Sequence, residues 1–153
     1  MLCSEAGCVS MGVSKFNAEG YYDPTCYEAL SKVEREEKQA AYQPLVYVCS
    51  PFSGDVEYNT EQARRYSRFA FENQTIPIAP HLLFPQFLDD TNPEERNAAL
   101  HFDYVLLGKC KEIWVFGGII TKGMEHEIRV AKKRRQKIRW FNANLEEVEE
   151  YGV

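Results

Sequence analysis

The familiar signals of location and cofactor chemistry are missing from this chain of 153 residues. No apolar stretch approaches the ~18 residues a membrane-spanning helix needs. The first residues also lack the basic start and apolar run of a secretory signal, so no membrane is expected as a partner. The five cysteines, Cys3, Cys8, Cys26, Cys49 and Cys110, are odd in number and irregularly spaced, with no C-x-x-C. The histidines, His81, His101 and His126, show neither H-E-x-x-H nor H-x-x-E-H spacing. Neither a metal site nor a redox motif is therefore expected. A P-loop and a dinucleotide G-x-G-x-x-G are absent too. A reducing cytoplasm is the expected compartment. Positive charge is in the minority: the net charge is −5, where a nucleic-acid polymer as partner usually leaves a basic footprint. The one basic run, Lys132-Lys133-Arg134-Arg135 with Lys137, reads as the solvated end of a helix, where cations complement the dipole.

What is present is ordinary globular composition, 44% hydrophobic and 27% charged, in a length that suits one core. Residues 1–43 differ from the rest. They open on Gly, Ser and Cys, pass a turn at Gly20–Pro24, and enter a helix expected from about Tyr27 to Ala40. Thr25 with Glu28 fits a capping box there. Its stripe of Ala29, Leu30 and Val33 is modest; the segment reads as an extension that packs on the main domain or holds a partner.

From residue 44 to 153 short apolar runs alternate with amphipathic stretches. Leu45–Cys49 is apolar on both faces, as a central parallel strand requires. A helix capped by Asn59 and running to about Asn73 follows, then a strand at Ile76–Ala79 whose prolines suit an edge. After a Pro-rich loop, Pro93 opens a helix to about Lys109. Glu112–Phe116 is a strand ending in Gly117-Gly118, Gly123–Arg135 a helix, and Ile138–Phe141 a strand. Asn144 is expected to cap a short terminal helix. Cys49, Cys110, Trp114 and Phe116 read as core. The alternation predicts an α/β domain: a flavodoxin/Rossmann-like parallel sheet of four to five strands with helices on both faces, plus the N-terminal helical extension.

In such sheets ligands sit beyond the carboxyl ends of the strands. That rule selects Ser50–Asp55, Pro80–Asp90, Gly117–Gly123 and the residues after Phe141. The turn Ser50-Pro51-Phe52-Ser53-Gly54-Asp55 can cradle an anion or sugar, or simply connect strand to helix. In Thr121–Ile128, helical spacing turns Met124, Ile128 and Ala131 inward, with Glu127 beside them and Glu125 and Arg129 elsewhere. An inward carboxylate is costly to desolvate. Glu127 is therefore either a nucleophile for a sugar's anomeric carbon or a first-turn acid that complements the helix dipole. Asp103, in an apolar helical stretch, is either a proton donor to a leaving group or a solvent-facing acid. His81 can bind a ligand or act as acid or base, or stand unliganded. Tyr47 is a core candidate whose position near a strand end can bring its hydroxyl to a ligand.

Taken together, Val46-Tyr47-Val48-Cys49-Ser50-Pro51-Phe52-Ser53-Gly54, Asp103, the strand Ile113–Phe116, and Thr121-x-Gly123-Met124-x-x-Glu127-Ile128-x-x-Ala131 resemble the nucleoside 2-deoxyribosyltransferase-like superfamily, above all its small phage and bacterial members. The resemblance spans roughly residues 44–142. It implies that Glu127 attacks the anomeric carbon of a (deoxy)nucleoside or its 5′-monophosphate to form a glycosyl ester, which a second base or water resolves. It makes Asp103 the acid at the leaving base. Tyr47 and the Ser50–Gly54 turn then hold sugar or phosphate, and Met124 borders the sugar; His81, Gly117 and Gly123, from their own place at the ligand edge, are expected to bind substrate too. Two carboxylates in opposed roles parallel retaining glycosidases, and no cofactor is implied. Homo-oligomers, dimers or larger, are expected from the same resemblance. The chain departs from the transferase pattern at Thr121 and Lys111, where acids are usual, and in lacking a clear C-terminal segment to complete a neighbour's site, although Asn142 or Asn144 can serve. Two further readings therefore stand beside the enzyme: a nucleotide-binding module without turnover, and an interaction protein that docks through residues 1–43.

Overall fold

The computed structural model describes residues 13–150, so Cys3, Cys8 and the Gly/Ser/Cys opening lie outside the described residues. The chain divides between Tyr42 and Gln43 into two compact units. In the first, Phe16 bridges Tyr22 in antiparallel fashion around a turn held by the Asn17 side chain. Helix α1 (Pro24–Ala40) follows, with Leu30 and Val33 on it each 49% exposed. It starts earlier than the expected Tyr27. Asp23 caps it by accepting from Cys26 N, and Pro24 occupies the first turn, where its missing N–H is no loss. The Thr25–Glu28 capping box is not what opens the helix.

The second unit is a five-stranded sheet. Its elements run β1 (Leu45–Cys49), α2 (Val56–Glu72), β2 (Ile76–Ile78), α3 (Pro80–Leu83) with a 3-10 turn at Phe84–Gln86, α4 (Pro93–Lys109), β3 (Glu112–Val115), α5 (Lys122–Lys133), β4 (Lys137–Phe141) and β5 (Glu147–Val148). Strand order is β2-β1-β3-β4-β5, parallel throughout except β5. This is the doubly wound order whose chain direction reverses between β1 and β3, the place where such sheets open a crevice. Pro77 sits in β2 at the sheet edge, where no second neighbour needs its missing N–H.

Strand periodicity sorts the core into two layers. Val46, Val48, Trp114, Phe116 and Phe141 meet α2 through Tyr66 and Ala70 on one face. Tyr66 stacks on Phe116 at 4.5 Å, and Phe116 on Phe141 at 5.0 Å. On the other face Tyr47, Cys49, Ile113, Val115 and Trp140 meet α4 and α5 through Leu107, Met124, Ile128 and Ala131. The inward stripe read for α5 is therefore buried as expected, and Trp114 and Phe116 are core.

Three boundaries differ from the sequence reading. Asp55, not Asn59, caps α2 by accepting from Tyr58 N; Asn59 instead donates to the carbonyls of Phe52 and Ser53. The Pro-rich loop contains α3 and the 3-10 turn. The terminal helix expected after Asn144 is strand β5: Asn142 Oδ1 accepts from the amides of Asn144 and Glu146, Leu145 turns at φ 66°, and Glu147 returns to take a two-pronged bond from Arg139. Glu-rich composition suggested helix, yet pairing to β4 decides the outcome. Among the described residues no helix is long and apolar enough to cross a membrane.

Candidate functional site

At the carboxyl edge of β1 and β3 lies a cleft of about 650 Å³. Its floor is set by β1. Residues two apart on a strand share a face, so Tyr47 and Cys49 both turn toward α5, where Glu127 meets them. Tyr47 Oη donates to Glu127 Oε1 at 2.8 Å, and the buried Cys49 thiol also hydrogen-bonds that carboxylate. Thr121 caps α5 through Met124 N, so Glu125 is the first-turn acid and Glu127 lies two residues further in. The dipole-complement reading thus belongs to Glu125, which pairs with Arg129 at 3.1 Å on the outer face. Glu127 faces the cleft.

Burial pushes Glu127 up to about 7 from its ordinary 4.5; the negative charge of Asp103 adds to the rise, and the bonds from Cys49 and Tyr47 oppose it. The environment thus charges a desolvation cost for ionisation and supplies two donors that stabilise the ion. Burial and the same carboxylate push the Tyr47 hydroxyl and the Cys49 thiol well above their usual ranges, so both remain protonated donors. Asp103 comes from α4. Its position follows a helical stripe, Arg96, Ala99, Asp103 and Leu107, that lines the cleft. Burial pushes its carboxyl up to about 6, and its Oδ1 finds no hydrogen-bond partner among the described residues. A buried oxygen without a partner is costly and marks a place where a ligand proton can sit.

The opposite wall pairs Ser50 Oγ with His81 Nε2 at 3.0 Å. Burial lowers His81 to about 4, so its ring is neutral at physiological pH. Phe52 lies 6.0 Å from that ring. Phe84, Leu88 and Leu100 supply an apolar wall.

Of the residues singled out from sequence, the fold brings Tyr47, Ser50, Phe52, Ser53, His81, Asp103, Gly123, Met124 and Glu127 to this one cleft. Pro51, Gly54 and Gly117 do not line it. Gly117, at φ 102°, would place a Cβ 3.0 Å from the Pro51 ring, so these two residues let the turns after β1 and β3 approach each other. Gly54, at φ 99° with open space around it, shapes the turn before the Asp55 cap. Cys49 was read only as core; the two-residue period from Tyr47 was the signal that places it at Glu127. Arg96 and Lys122 were also missed as cleft residues, and for Arg96 the seven-residue spacing to Asp103 carried the hint.

A family profile for a domain of unknown function, DUF7768, matches residues 44–141. No curated protein matches the sequence. Among solved structures the chain is similar to a 2-deoxyribosyltransferase from the psychrotolerant bacterium Bacillus psychrosaccharolyticus, with TM-score 0.54 and 13% identity over 71% of this chain and 77% of that one. It also matches a 2-deoxyribosyltransferase from Leishmania mexicana, with TM-score 0.45 and 13% identity over 72% and 81%. The first likeness shows a shared fold: a mostly parallel five-stranded sheet with helices, as in the 2-deoxyribosyltransferases.

Proposed function

The chain belongs to the DUF7768 family, and for its cleft we propose cleavage or transfer of the N-glycosidic bond of a (deoxy)nucleoside or nucleoside 5′-monophosphate. One observation carries the reading. A partly buried carboxylate, Glu127, is held by Tyr47 at 2.8 Å in the same cleft as Asp103, whose buried oxygen is unpartnered.

In this mechanism the ionised Glu127 attacks the anomeric carbon; the carbon–oxygen ester bond forms as the carbon–nitrogen bond breaks. Asp103, protonated in the minority form that also has Glu127 ionised, gives its proton to the departing base, so the electron pair leaves on a neutral group. A water or a second base then attacks the ester, and Asp103 takes the proton back, restoring Glu127. The elevated basicity of Glu127 makes it a stronger nucleophile once ionised, and the Tyr47 and Cys49 donors hold it in line. Met124, Ser50 and Ser53 border the sugar, and Phe84, Leu88 and Leu100 offer an apolar bed for the base. The exposed Leu100, Tyr104 and Val105 on α4 support assembly as a homo-oligomer, since a second copy can cover them.

A second reading, a nucleotide-binding module without turnover, is favoured by the same electrostatics. With Glu127 near 7, much of the nucleophile is protonated at neutrality, and Thr121 stands where the transferase pattern has an acid. The test is incubation with deoxynucleosides and their 5′-monophosphates, with and without an acceptor base, followed by chromatography. Base release or exchange that vanishes in Glu127→Gln supports the enzyme; a Glu127→Ala protein that still turns over refutes it. Ligand recovered unaltered, with a thermal shift, moves the assignment to the binding module.

A further inference from the structure

We infer that the cleft takes an unphosphorylated nucleoside and rejects the 5′-monophosphate; this rests on the N-glycosidic reading above and narrows its substrate. Several places where a phosphate can usually lodge already carry an acid or lack a cation. The turn after β1 holds no Lys or Arg between Ser50 and Asp55. At the start of α2 the Tyr58 amide donates to the Asp55 carboxylate at 3.1 Å, so an anion there meets a charge of its own sign. Ser50 pairs with His81, a ring that burial keeps neutral, so this pair brings no positive charge to a phosphate. At the first turn of α5 the Thr121 hydroxyl already accepts from Met124 N.

The charges on the walls point the same way. Asp89, Asp90 and Glu95 join Asp103 and Glu127 around the opening. Asp89 is held ionised by the amide and hydroxyl of Thr91. Against them stand Arg96, which already lies 3.9 Å from Asp90, and Lys122, which is exposed, with His126 on the exposed rim. A dianionic phosphate entering this opening loses its water and meets a net negative field. A neutral ribose hydroxyl finds Ser50, Ser53 and His81.

The experiment compares kcat/KM for base release from deoxynucleosides, their 5′-monophosphates and 5′-O-methyl deoxynucleosides, at low salt and near 0.5 M salt. The nucleoside is expected to exceed the monophosphate by about tenfold or more at low salt, the scale of a few like charges at cleft distances. That gap narrows as salt screens it, and the methyl ether follows the nucleoside. A monophosphate that reacts as well or better overturns the inference, and leaves the Glu127 chemistry standing if Glu127→Gln still abolishes turnover. A gap insensitive to salt, or rejection of the methyl ether, makes the exclusion steric and overturns it too. If no probe is bound or turned over, the N-glycosidic reading fails and takes this inference with it.

Discussion

Replacing Glu127 by Gln should stabilise the protein by an amount that grows as pH rises from about 4.5 and is complete above about 7. The folded state holds this carboxyl near 7 against an ordinary 4.5. Below about 4.5 it is protonated whether the chain is folded or not, and burial costs nothing extra. Between the two values the folded state binds more protons than the unfolded one, so stability falls as pH rises. Above about 7 the folded carboxylate bears the whole cost. At about 1.36 kcal/mol per pKa unit the difference amounts to roughly 3 kcal/mol, of which ~2–3 is a fair expectation for a group that is partly solvated. Gln is isosteric, keeps an oxygen for the Tyr47 hydroxyl, and does not ionise. Urea unfolding of both proteins at pH 4.5, 6, 7 and 8 isolates the term, because every other titrating group largely cancels in the difference. The midpoints should nearly coincide at pH 4.5. At pH 8 the Gln variant should unfold about 1–2 M later, using ordinary urea slopes for this size. A difference that stays flat with pH would refute the claim that Glu127 is held against desolvation. The expected pattern is one of stability given up at a chemical site.

Tyr47→Phe removes a donor to the charged form, worth ~1.5–3 kcal/mol for a bond to an ion, so Glu127 should titrate about 1–2 units higher. Carbon-13 NMR of labelled glutamate reads this directly, turnover at pH 7 should fall roughly tenfold and recover toward pH 9, and an unmoved midpoint contradicts the role. Asp103→Asn should cost ~10²–10⁴ in base release and erase the limb set by a carboxyl near 6, with a far smaller loss for a cationic base that leaves without a proton; equal losses on both substrates would argue against proton donation. Gly117→Ala, at φ 102° and 3.0 Å from Pro51, should destabilise by ~1–3 kcal/mol in urea melts, and Gly118→Ala, at φ 71° in open space, by less. Arg135→Gly should stabilise by ~0.5–1 kcal/mol, because Arg135 ends α5 at φ 56°, where glycine has no side-chain penalty; a loss of stability would show that its side chain matters.

The sequence alone determined the layers of this protein. A strand apolar on both faces at Leu45–Cys49 demands cover on two sides, and the 3.6-residue stripe of Met124, Ile128 and Ala131 says which face of α5 gives it. From that alternation the parallel sheet and its ligand edge follow, and Glu127 is legible as an acid beside the inward stripe, whereas Asp103 reads equally as a proton donor or a solvent-facing acid. Boundaries were less legible where local chemistry competes. Asp55 and Asn59 can both cap a helix, and only the backbone path of Ser50–Gly54 decides between them. Helices α2 and α5 are followed by Gln74 and Arg135 at φ 58° and 56°, so the glycine that usually marks a stop is missing. The Glu-rich end reads as helix because strand pairing is a non-local gain, invisible until β4 offers its edge.

Only the tertiary structure decided what the candidate site is made of. Tyr47 and Glu127 are 80 residues apart, and no period in the chain links them; the β1–α5 contact does. The same packing makes Cys49 a donor rather than filler, keeps His81 neutral beside Ser50, and leaves Asp103 Oδ1 without a partner. Pattern reports which face a side chain takes. Which charges then meet, and how much water they lose, depends on distances that exist only once the sheet has closed over its helices.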